Sequence, residues 1–164
     1  MTPAVPIHPV LCIVQGRQIW LPWRSVDLPE HAVVSGRDGI LWASTRSAMV
    51  ARCRDAGYDA PIEEDTCFDF DEVLDSLQGE VGLSADAVIN CWNMIDDIAR
   101  HAAPDERSRF SVDFNGSYDR LMSTTLAGKL LQLEPECINA ADRSAAAAAL
   151  SGGMLMLLRM VERA

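Results

Sequence analysis

Two apolar, β-favouring runs near the start of the chain predict a hairpin. Residues 10–14 and 18–21 are dominated by branched and aromatic side chains, which favour an extended backbone. Residues 15–17 between them include a glycine, which readily adopts the positive φ of a short hairpin connection. A third apolar run at residues 39–43 follows a turn-like segment and predicts another strand.

Apolar residues recur at helical spacing through the rest of the chain. This spacing predicts helices over residues 45–56, from about 85 to 101, over 118–131 and from 142 onward. Residues 110–114 alternate apolar and polar side chains, which predicts one late strand. Because strands come first and helices follow, the order predicts an α+β fold with N-terminal antiparallel strands followed by several helices. A chain of 164 residues has the size expected for a single domain.

Residues that accept hydrogen bonds from backbone N–H groups precede the predicted helices. Ser44, Ser84 and Asp142 are predicted N-caps. Asp69 and Glu72 have the spacing of a capping box, in which the first side chain accepts from the helix start and the second reaches back. A short helix is therefore expected directly after Asp69.

The longest apolar stretch, residues 145–158, predicts a buried helix rather than a membrane span. It is shorter than the about 20 residues that a bilayer requires, and Ser151, Gly152 and Gly153 interrupt it. These small residues predict either a kink or close packing against another element. The start of the chain lacks the basic segment and the long apolar run of a secretory signal, so we expect a cytoplasmic protein without membrane contact.

The cysteine pattern also indicates a reducing compartment. The five cysteines are odd in number and widely spaced, they include no CxxC pair, and no histidine stands at metal-ligand spacing from a pair of them. This pattern argues against a disulfide framework and against a zinc site. We expect neither a metal nor a cofactor.

Negative charge is concentrated in one interval of the chain, between Arg54 and Arg100. This interval has thirteen carboxylates and no Lys or Arg, whereas the remainder has eleven carboxylates against all fourteen basic residues. The formal net charge of −10 argues against direct nucleic-acid binding, because that affinity comes mainly from Lys and Arg that neutralise phosphates. Like charges repel and cost stability, which favours a use for them in binding a cationic partner.

Three interpretations of the acidic interval remain open. It forms a binding face, or a solvated surface that keeps the protein soluble, or a site for a hard cation, although the loop spacing and central glycine of an EF-hand are absent. We predict the binding face. The predicted partner-binding residues are Asp59, Glu63, Glu64, Asp65, Asp69, Asp71, Glu72, Asp75, Asp96 and Asp97.

No catalytic motif accompanies these residues, and we expect a protein that is not an enzyme. The sequence has no nucleophile motif, metalloprotease motif or phosphate-binding loop, and its histidines are His8, His31 and His101. Adjacent Asp96 and Asp97 point about 100° apart on a helix, so they do not share one face as an acid–base pair would.

Four segments between about residues 39 and 100 carry a resemblance to a known class of proteins. They are Gly39-Ile-Leu-Trp-Ala-Ser44, Gly57-Tyr58, Phe68-Asp-Phe-Asp-Glu-Val-Leu74 and Ile89-Asn-Cys-Trp-Asn-Met-Ile-Asp-Asp97. In their order and character they resemble small bacterial immunity proteins, in particular those of contact-dependent growth inhibition systems. The resemblance implies a cytoplasmic protein that binds the toxin domain delivered by a neighbouring cell, 1:1, and blocks it. Many such toxins are nucleases (RNase, tRNase or DNase), whose basic surface an acidic antagonist would cover.

Two other function classes are compatible with the sequence. One is an adaptor or chaperone of a secretion system, which would bind an exposed client segment and usually dimerise. The other is a small metal-assisted hydrolase that uses the acidic cluster to hold a divalent ion. In the binding classes a few aromatic anchors carry most of the interface energy, and Trp23, after Pro22 and beside Arg24, is the tryptophan most expected at the surface.

Overall fold

The strands and helices follow one another as an α+β fold. The structure is a computed structural model, and it describes residues 7–24, 33–36, 39–58, 65–79, 84–105, 107, 115–131 and 138–163. The strands are β1 (Ile7–Val14), β2 (Arg17–Arg24), β3 (Ser35–Gly36), β4 (Gly39–Ile40) and β5 (Thr66–Asp69). The helices are α1 (Arg46–Asp55), α2 (Phe70–Gln78), α3 (Ala85–Ala99), α4 (Asn115–Leu131) and α5 (Ala140–Arg163). The predicted fold class is confirmed, while the predicted strand at residues 110–114 lies outside the described residues.

The three-stranded sheet has β1 at its centre. It pairs antiparallel with β2 and parallel with β5, which follows the crossover through α1. The register places Cys12 opposite Ile19 on one side and Phe68 on the other, and His8 opposite Trp23. Because side chains alternate between the faces of a strand, these residues share one face of the sheet. That face turns toward α2 and α3.

The predicted hairpin is present, with Gln15 and Gly16 as its two-residue turn. Both residues have positive φ, 50° and 70°, the combination that a type I′ turn requires. The predicted third strand is shorter than expected. Only β4 and the bridge from Ala43 to Trp20 are extended, and this bridge helps to cover the outer edge of β2.

The core lies between the sheet and a layer of helices. α2, α3 and α5 pack against one another, and α2 also packs on β1. α5 packs closely against α3 at Gly153, where an added Cβ would overlap the side chain of Ile95. The helix runs unbroken through Ser151 and Gly152, so the small residues permit close packing rather than a break. On the opposite face of the sheet, Met49 and Cys53 of α1 bury a small second cluster with Ile7.

Two of the predicted N-caps are wrong, and a third makes no hydrogen bond. α1 is capped by Thr45 rather than Ser44, since Thr45 Oγ1 accepts from Ala48 N at 3.3 Å. Ser84 precedes α3 without a capping bond from its side chain. α5 begins at Ala140 because Asn139 Oδ1 accepts from the backbone N–H of Asp142 at 2.8 Å. The capping function thus lies three residues before Asp142.

α5 is long and apolar enough to cross a membrane by length and composition, and half of its most apolar stretch is buried within the protein. Its buried side packs on α2 and α3, as the core helix of a soluble protein does. The structure is compatible with a soluble protein.

Candidate functional site

Of the ten carboxylates predicted to bind a partner, the structure describes seven, and these lie in three places. Asp59, Glu63 and Glu64 lie outside the described residues. Asp65 precedes β5, and its two carboxylate oxygens share the Nε–H of Arg46, at 2.7 and 3.0 Å. Four more lie at the start of α2 and along it, and the last two lie near the end of α3. The structure therefore does not gather all described members of the set on one element.

The carboxylates of Asp69, Asp71, Glu72 and Asp75 form what we call the α2 acidic surface. Asp69 caps the helix by accepting from Glu72 N at 2.9 Å, as the capping box predicts. Asp71 accepts the backbone N–H groups of Gln15 and Gly16, both at 2.7 Å. Glu72 and Asp75 are exposed. Within the described part of the chain, none of the four forms an ion pair with a basic side chain.

The negative field of this surface acts on neighbouring thiols. Burial raises the pKa of Cys67, and the charges of Asp69 and Glu72 raise it further. Burial also raises the pKa of Cys91 to about 12, with Asp69 as the second cause. Each of these thiols is therefore protonated at neutral pH and is a poor nucleophile.

Asp96 and Asp97 diverge from α3 as the helical geometry predicts, although both contact Arg100. Asp96 is exposed and holds Arg100 Nη2 at 2.6 Å. Asp97 lies farther from the same guanidinium, at 3.7 Å from Arg100 Nε, and its side chain is 23% exposed. Burial raises the pKa of Asp97; Arg100 lowers it, Asp96 raises it, and Trp23 lowers it. Asp97 therefore points to a more enclosed environment than Asp96.

That environment is a pocket of about 230 Å³ between α3 and the sheet, which we call the α3 pocket. α3 contributes Asn90, Asn93, Met94 and Asp97. Positions 90, 93, 94 and 97 follow one another at steps of three, one and three, so they lie on one stripe of the helix. Met94 is buried, whereas Asn90 and Asn93 are exposed at the rim.

The sheet supplies the opposite wall of the α3 pocket. His8 and Val10 come from β1, Trp23 from β2, and Thr66 and Phe68 from β5. The register explains the gathering, since it places each of these residues on the helix-facing side of the sheet. His8 and Trp23 also meet as rings, with centroids 5.7 Å apart.

Two polar groups of the pocket have defined environments. Asn93 Oδ1 accepts a hydrogen bond from the Tyr118 hydroxyl at 2.6 Å, which fixes the orientation of the amide. The indole N–H of Trp23 is buried and close enough to Asp97 to favour its ionised form, but it makes no well-aligned hydrogen bond with a described residue. The pocket thus presents one carboxylate, two amides, the Thr66 hydroxyl, the His8 imidazole and the aromatic rings of Trp23 and Phe68.

The sequence indicated only part of this site. Asp97 was a predicted binding residue and Trp23 the tryptophan expected at the surface; Trp23 is partly exposed. Asn90, Asn93, Thr66 and Phe68 were missed, because their meeting depends on the parallel pairing of β5. One signal was available, namely the polar side chains at 90, 93 and 97 beside the apolar stripe of α3.

Among the residues that the structure describes, no group of three His, Cys, Asp or Glu side chains is arranged to hold a metal ion. The metal-assisted hydrolase therefore gains no support from the described residues.

Comparison of the chain with protein-family models, with characterised proteins and with solved structures finds no match.

Proposed function

We propose that this chain is a cytoplasmic immunity protein, which binds a cognate basic toxin domain 1:1 and blocks it without turnover. The α2 acidic surface carries the proposal. Its four carboxylates lie within seven consecutive residues, and none of them is neutralised by a basic side chain among the described residues. A surface with this much uncompensated charge attracts a basic partner and raises the rate of association.

Backbone contacts hold part of this charge in place. The side chains of Asp69 and Asp71 accept hydrogen bonds from backbone N–H groups, which fix their positions. Fixed carboxylates lose little conformational freedom when a partner binds, so more of the electrostatic attraction contributes to affinity. A nuclease toxin fits such a surface, because it presents Lys and Arg at the place where it holds phosphates.

Co-expression tests the proposal. The chain is produced together with the toxic C-terminal domain encoded immediately upstream of its gene, and growth and complex formation are measured. We expect growth to be restored and a stable 1:1 complex to co-purify. Loss of viability without a complex would contradict the proposal and would favour the adaptor or enzyme classes.

A further inference from the structure

We propose that the α3 pocket receives one arginine side chain of the partner protein. This inference rests on the proposed function, since it names a chemical feature of the partner that the acidic surface attracts. Strand β5 connects the pocket to that surface. β5 supplies Thr66 and Phe68 to the pocket and leads directly into Asp69, the first carboxylate of the α2 acidic surface.

The size of the pocket suits a single side chain. Its volume of about 230 Å³ is below the roughly 300–1,000 Å³ of sites that enclose whole small-molecule ligands. Val10 and Met94 are buried, and Asn90, Asn93 and Thr66 are exposed around the opening. A long side chain can therefore enter with its polar end while its backbone stays at the protein surface.

The charge and the walls favour a planar cation. Asp97 supplies a partly enclosed carboxylate, whose contact with Arg100 is loose at 3.7 Å. Trp23 and Phe68 supply aromatic rings, over which a guanidinium binds favourably. The same pairing occurs elsewhere among the described residues, where Arg24 and Arg52 each lie 5.8 Å from a ring centroid.

Arginine fits the acceptors better than lysine does. Its guanidinium has five N–H donors in one plane and pairs with a carboxylate through two parallel hydrogen bonds. The Asp97 carboxylate can accept both, and the amide oxygen of Asn90 adds a further acceptor at the rim. A lysine ammonium is a compact, strongly hydrated charge that stacks less well on aromatic rings.

Nuclear magnetic resonance of the full chain tests the inference without any toxin. Capped arginine (N-acetyl-arginine N-methylamide) is titrated into the protein, and the indole N–H signal of Trp23 and the side-chain amide signals of Asn90 and Asn93 are followed. We expect saturable shifts of these signals, and clearly weaker binding of capped lysine. Absent shifts, or equal binding of the two compounds, would overturn the inference.

Two carboxylates provide matched variants. Asp97→Asn removes the charge that faces the pocket, whereas Asp55→Asn removes an exposed charge on α1, which supplies no residue to the pocket. We expect Asp97→Asn to weaken capped-arginine binding at least about tenfold and Asp55→Asn to change it by less than about twofold. Equal effects of the two variants would overturn the inference.

The outcome is separable from that of the proposed function. Capped arginine reports on the pocket alone, while protection against the toxin reports on the whole interface. If the protein binds capped arginine but neither protects against the toxin nor forms a complex with it, the arginine-binding role of the pocket is supported and the immunity function is refuted.

Discussion

The carboxylate of Asp71 accepts the backbone N–H of Gly16 at 2.7 Å, which joins the first turn of α2 to the tip of the hairpin 55 residues earlier. Its other oxygen accepts from Gln15, so one side chain satisfies both donors of a turn with positive φ. Asp71 therefore stabilises the hairpin and contributes charge to the α2 acidic surface at once.

Asp71→Ala is expected to lower the free energy of unfolding by about 1–3 kcal/mol, because two charge-assisted hydrogen bonds are lost. Denaturant titration measures the change. Asp75→Ala is the control, since Asp75 is exposed on the same helix, and we expect a change within about 0.5 kcal/mol. Equal losses in the two variants would show that the turn does not depend on Asp71.

The second prediction concerns the contact between α3 and α5. Gly153→Ala places a Cβ inside the side chain of Ile95, so we expect a loss of about 1–3 kcal/mol in the free energy of unfolding. Gly152→Ala places its Cβ in open space on the same helix and should gain about 0.5–1 kcal/mol from helix propensity. Thermal or denaturant unfolding checks both, and opposite signs are the expected result.

The third prediction concerns Asp142, which is buried although it carries charge. Its side chain is 5% exposed, and its Oδ1 accepts from Arg120 Nη2 at 2.6 Å while its Oδ2 accepts from Asn139 Nδ2 at 2.6 Å. The Arg120 hydrogen bond lowers the pKa of Asp142, with burial acting in the opposite direction and Ser117 and Asn139 assisting Arg120. We expect Asp142→Asn to lower the free energy of unfolding at neutral pH by about 1–3 kcal/mol.

The pH dependence of this loss follows from the direction of the shift. A carboxyl whose pKa is lower in the folded than in the unfolded state contributes stability above its ordinary pKa of about 3.9. This contribution disappears as the pH falls through the folded-state value. The difference between wild type and Asp142→Asn should therefore be constant near neutrality and shrink below about pH 4. A difference that grows on acidification would contradict the ion pair.

The fourth prediction concerns Asp97, whose pKa is shifted upward, in the opposite direction to that of Asp142. Burial raises the pKa of Asp97 in the folded state, so its ionisation costs stability as the pH rises through that value. We expect Asp97→Asn to unfold at a slightly higher denaturant concentration than wild type at neutral pH, with no difference below about pH 4. Among the described residues, the titratable and charged groups near Asp97 are Asp96 and Arg100 on its own helix, His8 across the pocket and Tyr118 of α4.

The stability of Asp97→Asn distinguishes a binding role of this carboxylate from a structural one. A variant that is at least as stable as wild type but no longer binds capped arginine has lost a binding group, not its fold. A destabilised Asp97→Asn would instead assign the carboxylate a structural role through Arg100.

Local patterns in the sequence predicted most of the fold. The hairpin, the N-cap at Asp69 and the apolar stripe of α3 depend on residues close in the chain, and each is present. β5 was missed because four residues within an acidic segment carry little strand signal, and its pairing partner lies more than 50 residues earlier. Pairing between strands so far apart in the chain produces no periodic pattern of apolar residues in the sequence.

The candidate site was harder to predict for the same reason. Composition showed where charge concentrates, but not that Asp71 is held by the hairpin or that Asp65 pairs with Arg46. The α3 pocket combines residues of three strands and one helix, so its existence depends on the sheet register. Asp97 was found as one of many carboxylates, and only the fold distinguishes it from Asp96.

The most direct test of the account measures the association rate with the basic toxin domain at low and at high salt. The variant Glu72→Gln/Asp75→Asn removes two exposed charges of the α2 acidic surface, and Asp55→Asn/Asp119→Asn removes two exposed charges from α1 and α4 as the matched control. We predict that the α2 variant associates about tenfold more slowly at low salt, that high salt removes most of this difference, and that the control resembles wild type. Equal rates for the two variants would contradict the claim that the α2 acidic surface captures the partner.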